Sequence, residues 1–219
     1  MKSIAKVYSL IRFELKLDTK KPGVIAAAVL QLFITALLSM LSQPKINAST
    51  WNTLFWITLI LGSINAVSKN FTLISKGRWL YLNQLSTPLE MLWSKIIYGW
   101  LNMIFLTSVN MLMFAFFMGI PVEHVFPYTL LLILVTGGIS SVFTFIGAVA
   151  SKADGSGFLA PVLSLPIVLP FLLVGIKASI KAFNPILVSS FNTDTLLVLS
   201  LDVLVLVLIS VLFTSLWRD

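Results

Sequence analysis

Lys76-Gly-Arg-Trp-Leu-Tyr-Leu-Asn-Gln-Leu-Ser-Thr-Pro-Leu-Glu90-Met-Leu-Trp-Ser-Lys95 separates two long apolar runs, and the side of a membrane on which it falls sets the topology of the whole chain. Within it Arg78, Leu82 and Leu85 recur at helical spacing, with Trp79 and Leu80 beside them, so the stretch predicts a short amphipathic helix that Pro88 punctuates. Two readings of that helix are open. It is a loop resting in the headgroup plane, or it is a docking element presented to a soluble partner protein.

The composition decides the solvent. Of 219 residues, 58% are hydrophobic and only 11% charged, with a mean hydropathy of +1.00; soluble domains carry roughly 25% charged residues. The chain therefore reads as an integral membrane protein. It has no cysteine, which excludes disulfides, thiolate metal sites and thiol catalysis, and its single histidine excludes a histidine-based metal cluster. A net charge of +7 raises the question of nucleic acid. The basic residues, however, flank apolar runs in short segments instead of forming one polybasic face, and no nucleic-acid partner is expected.

Six apolar runs lie near Val24 to Leu41, Trp51 to Ser68, Ile96 to Met118, Tyr128 to Ala150, Phe158 to Ile176 and Leu196 to Trp217. Each approaches the roughly 20 residues needed to cross about 30 Å of hydrocarbon. With the N-terminus inside, Lys2, Lys6, Arg12, Lys16, Lys20, Lys21, Lys69, Lys76, Arg78, Lys95, Lys152 and Arg218 fall in the cytoplasm, and only Lys45, Lys177 and Lys181 fall outside. That asymmetry puts both termini and the Lys76–Lys95 stretch on the cytoplasmic side. Before the first run, Met1 to Lys21 sets Ile4, Val7, Tyr8, Ile11 and Leu15 at i, i+3, i+4, i+7 spacing among its lysines, which predicts an interfacial helix ended by Pro22-Gly23. It has no small-residue cleavage site and is read as retained. The outer segments, Ser42 to Thr50, Gly119 to Pro127 and Lys177 to Asp194, are too short for a separate domain.

The runs hold few groups that do chemistry. Asp202 is the one acid clearly inside a span, about 10 Å along a helix from Thr195, and it must face the bundle or be protonated. It is either a relay or gate, or a hydrogen-bonding group that packs two helices, with Asn65, Asn102 and Asn110 as possible partners. His124 reads as a solvated loop residue. Gly137 and Ser141 share the small-xxx-small spacing of close helix packing, within the chain or between two copies. Pro161, Pro166 and Pro170 each remove a backbone donor from the fifth run, which is expected to be kinked or interrupted there and marks a hinge or a static bend. No G-x-x-x-x-G-K-[ST], H-E-x-x-H or G-x-S-x-G occurs, so no catalytic residue and no metal or cofactor ligand is expected, and energy must come from another subunit. No repeat of paired broken helices points to a secondary transporter.

A set of short stretches resembles the haem exporter protein B family (CcmB-like), the membrane subunit of an ABC-type complex for cytochrome c maturation. They are Phe13-Glu-Leu-Lys-Leu17, Thr50-Trp-Asn-Thr-Leu-Phe-Trp56, Asn65-Ala66 with Lys69, Gly77-Arg78 through Pro88, Ser94-Lys-Ile-Ile-Tyr98 and Gly119-Ile-Pro121. They continue with Ala150-Ser-Lys-Ala153, Leu163-Ser-Leu-Pro-Ile-Val-Leu-Pro170, Asp202 and Leu216-Trp-Arg218. Each is weak alone; their order, spacing and frame make the resemblance specific, and it covers essentially the whole chain.

The resemblance implies an all-α membrane protein: a single ABC-2-type transmembrane domain over residues 1–219, with an amphipathic elbow helix at 1–21 and a six-span permease bundle at 22–217. It implies a coupling helix at Gly77 to Ser86, where Arg78, Trp79, Leu80, Leu82 and Leu85 dock on a separate ATPase subunit that holds the ATP. The partners it implies are that ATPase, a second copy of this chain, a haem-handling membrane protein and a haem chaperone, in a bacterial inner membrane, with haem handled by the complex. The competing reading is a generic ABC-2 permease exporting a lipid, glycan or drug.

Overall fold

The structure, a computed structural model, describes residues 2–20, 23–42, 47–72, 86–122, 124–152, 159–183 and 191–218. They form seven helices and no strand among the described residues: α1 (Lys2–Lys20), α2 (Gly23–Ser42), α3 (Ala48–Thr72), α4 (Pro88–Met118), α5 (Val125–Lys152), α6 (Leu159–Lys181) and α7 (Phe191–Arg218). Five of them, α2, α4, α5, α6 and α7, are long and apolar enough to cross a bilayer. Helices are the only solution open to these runs, because hydrocarbon leaves every backbone N–H and C=O to be satisfied within its own segment. The hydroxyls obey the same constraint: Thr107 donates to the Met103 carbonyl at 2.7 Å and Thr136 to the Leu132 carbonyl at 2.7 Å.

α5 is the central helix, packed against α3, α4, α6 and α7. Its Leu131, Val135, Ile139 and Phe143 are fully buried. α1 lies along the start of α4, while α2 packs against α3 and α4. Gly62 of α3 is where α2 comes closest, since a Cβ there would stand 2.7 Å from Leu32 Cδ2.

The two ends of the bundle differ. At one end, which gathers α1 and the last turns of α7, Met91, Leu92 and Ile96 of α4 cluster with Ala148 of α5 and Ile209 and Phe213 of α7, and Leu10 of α1 packs on them. This is the termini end. At the far end Trp51 stacks on Phe55 with ring centroids 5.4 Å apart and meets Phe114 and Phe183 edge-on. Trp51 Nε1 donates to the Gly119 carbonyl at 3.1 Å, tying α3 to the residue that ends α4.

Several boundaries differ from the sequence expectation. The run expected from Ile96 begins earlier, as α4, at Pro88. Thr87 caps it in a reciprocal box: the Thr87 N–H donates to Glu90 Oε2 at 3.0 Å and the Glu90 N–H to Thr87 Oγ1 at 3.4 Å. Proline fits the first helical position because its missing donor would have had no partner there. Lys177 and Lys181, expected in an outer segment, belong to α6. That helix also runs uninterrupted through Pro166 and Pro170, whose rings lie on its exposed side. Pro161 falls in its first turn, where proline costs little.

Candidate functional site

Arg78, Trp79, Leu80, Leu82 and Leu85 lie outside the described residues. What is described is the mount on which that stretch ends. Ser86 and Thr87 lead straight into α4, whose 31 residues run from the termini end to Gly119 at the far end. A displacement applied at Thr87 therefore acts on one continuous helix that reaches both ends of the bundle. The mount is braced by α1: Lys95 Nζ of α4 lies 2.7 Å from Glu14 Oε1 of α1, with the Lys95 side chain only 2% exposed.

The second candidate, Asp202, faces the bundle from α7. Its carboxyl fits the notch left by the missing side chain of Gly138 on α5; a Cβ at Gly138 would collide with Asp202 Oδ1 and with the ring of Phe171 on α6. Three helices meet at this point. Asp202 Oδ1 is buried without a hydrogen-bond partner among the described residues.

Asn110 is engaged elsewhere. It is fully buried between α3 and α4, accepting from Thr58 Oγ1 at 3.1 Å and donating from Nδ2 to the Phe55 carbonyl at 3.1 Å. Its role is to join two helices, and it is not Asp202's partner. The Asn65 side chain is outside the description. The small-residue face of α5 is also absorbed within the chain: Gly137 receives the Trp100 ring of α4, Gly138 receives Asp202 and Phe171, and Ser141 bonds back to the Gly137 carbonyl at 2.9 Å.

Two polar features escaped the sequence reading. Asn52 donates to Ser179 Oγ at 2.8 Å and Trp56 Nε1 to the same oxygen at 3.1 Å, fastening α3 to α6. His124 is a loop residue, but half-buried and not solvated: its backbone N–H donates to the Ala182 carbonyl at 3.3 Å, and its Nε2 is buried. Neither carries a sequence signal, since each depends on residues more than fifty positions away. No group of His, Asp and Glu side chains able to hold a metal ion occurs among the described residues.

The fold and these sites define a multi-pass helical membrane protein whose interior polar groups join helices. Residues 5–216 match the family model described as CcmB protein. The chain belongs to the CcmB family, the membrane permease component of an ABC-type system for haem export and cytochrome c maturation. No curated protein and no solved structure matches the chain.

Proposed function

We propose that this chain is a six-span ABC-2-type permease subunit in which the Gly77 to Ser86 stretch docks on a separate ATPase. In this reading α3 is the sixth span: its 25 residues reach about 37 Å at 1.5 Å per residue, enough to cross the hydrocarbon. α1 is the elbow helix in the headgroup plane, and the termini end faces the cytoplasm of a bacterial inner membrane, in keeping with the lysine and arginine asymmetry. Two copies act with two ATPase copies. ATP hydrolysis on the partner is coupled to haem delivery, or to release of the haem-loaded chaperone, in concert with the haem-handling membrane protein; this chain holds neither ATP nor haem as a resident cofactor.

The observation that carries the reading is the capped start of α4. A docking element is useful only when its motion reaches the bilayer, and the Thr87–Glu90 box fixes the end of the stretch to a rigid helix of 31 residues. Replacing Leu82 and Leu85 by Asp places charge in an apolar contact, where an unpaired buried charge is costly. The expected result is a protein that reaches the membrane at the normal level, no longer co-purifies with its ATPase and no longer supports covalent haem staining of c-type cytochromes. Normal recovery of the ATPase together with normal holo-cytochrome levels would show that the stretch merely rests on lipid.

A further inference from the structure

The contact between α1 and α4 is built more firmly than a helix lying passively on a membrane requires. Lys95 and Glu14 pair at 2.7 Å with side chains 2% and 15% exposed. Lys6 Nζ lies 3.9 Å from Glu90 Oε2, and the Glu90 side chain is 10% exposed. Leu10, between Lys6 and Glu14 in the sequence, packs on the cluster of Met91, Leu92 and Ile96. Two properties follow. Separating a desolvated ion pair strands charge in a low-dielectric site, so this contact holds or breaks as a unit and does not loosen gradually. In addition, Glu90 Oε2 accepts the Thr87 N–H while facing Lys6, so one carboxylate belongs both to the cap of α4 and to the contact with α1.

We propose that α1 and the first two turns of α4 form one rigid body, with Glu14 and Lys95 as its positioning pair, so that α1 moves with whatever displaces Thr87. This rests on the reading of Gly77 to Ser86 as the ATPase-docking stretch. It makes α1 a working part of the transmission: its exposed Tyr8 and Leu15 would be carried across the membrane surface at each cycle.

The absence of cysteine permits a direct test with paired spin labels in the full chain purified with its ATPase. One pair joins Tyr8→Cys to Trp93→Cys, within the proposed body; the other joins Tyr8→Cys to Leu30→Cys, between that body and α2. Distances are measured without nucleotide and with a trapped hydrolysis intermediate. The 8–93 distance is expected to stay constant and narrow while the 8–30 distance shifts. Glu14→Gln/Lys95→Met, which removes both charges and strands neither, is expected to broaden the 8–93 distribution and to lose most of the covalent haem staining of c-type cytochromes, with membrane level and ATPase recovery unchanged. Lys95→Arg, which keeps the charge, is expected to keep the narrow distribution. An 8–93 distance that changes with nucleotide as much as 8–30, an 8–30 distance that does not shift, or a double variant with wild-type distances overturns the proposal. Failure of the unmutated chain to co-purify with an ATPase instead overturns the docking reading, and the double variant then still decides whether α1 and α4 form one body.

Discussion

Asp202 of α7 occupies the space that a side chain at Gly138 of α5 would need, and Phe171 of α6 closes the same notch. Gly138 is thus the point at which α5, α6 and α7 come together, and its lack of a Cβ is a packing requirement. Gly138→Ala is expected to force Asp202 and Phe171 aside, costing about 1–3 kcal/mol as an overpacked core does. The check is the thermal stability of the detergent-solubilised protein followed by size-exclusion chromatography. Gly23→Ala, where an added Cβ meets nothing within 4 Å, serves as the control and is expected to leave stability unchanged.

Asp202→Asn preserves the shape of the side chain and removes its ionisable proton. Because Oδ1 makes no hydrogen bond among the described residues, the Asn variant is expected to match wild type in stability. If Asp202 only fills the Gly138 notch, cytochrome c maturation is also unchanged. A stable Asn variant that makes no holo-cytochrome c would assign Asp202 to a relay. Asp202→Leu puts larger methyl groups against Gly138 and Phe171 and is expected to lose about 1–3 kcal/mol.

The two ion pairs of α1 are expected to differ sharply. Lys95→Met removes the 2.7 Å partner of Glu14 inside the protein and is expected to cost about 3–5 kcal/mol, the scale for breaking a buried pair. Lys6→Ala removes a 3.9 Å contact made by a side chain that is 52% exposed; its expected cost is about 0–1 kcal/mol. Chemical denaturation in mild detergent micelles, followed by tryptophan fluorescence, ranks the two. Equal losses would mean that Lys95 is not held by burial.

Topology is tested by single cysteines labelled from either side of intact cells with a membrane-impermeant reagent. Positions 45 and 181 are expected to label from outside, and position 76 only after the membrane is opened. Labelling of position 76 in intact cells would invert the orientation and place the docking stretch out of reach of a cytoplasmic ATPase.

Asn110→Leu removes the bridge from α4 to Thr58 and the Phe55 carbonyl on α3. Hydrogen bonds between transmembrane helices are modest, so a loss of about 0.6–1.7 kcal/mol is expected, with the ATPase still recovered. Loss of cytochrome c maturation without loss of stability would give Asn110 a role beyond joining the two helices.

Much of the architecture was legible along the chain, because each apolar run has to satisfy its own backbone hydrogen bonds in hydrocarbon and so forms its helix without help from the others. The positions of α2, α4, α5, α6 and α7 and the acid at 202, deep within α7, all follow from residues within one segment. The assignments that went astray are those set by a neighbour. The third run reads as starting near Ile96 until Thr87 and Glu90 are seen to cap a helix that begins at Pro88, and His124 reads as solvated until its backbone N–H is seen to meet the Ala182 carbonyl.

What the sequence determined by itself is the solvent, the helical class and, through the order of its short family stretches, membership of the CcmB family, all properties that are sums over local composition and pattern. Tertiary structure alone decided which polar groups meet. Lys95 counts as one more cation beside a membrane until α1, 81 residues earlier, brings Glu14 to it. Asp202 could have paired with Asn110 by every rule of hydropathy and spacing. It faces Gly138 instead, because a missing Cβ on α5 leaves room for a carboxyl there, and Thr58 and Phe55 had already taken up Asn110. The physical reason is that helix formation in a bilayer is local, whereas helix partnering depends on the fit of small residues and side chains brought together from distant parts of the chain.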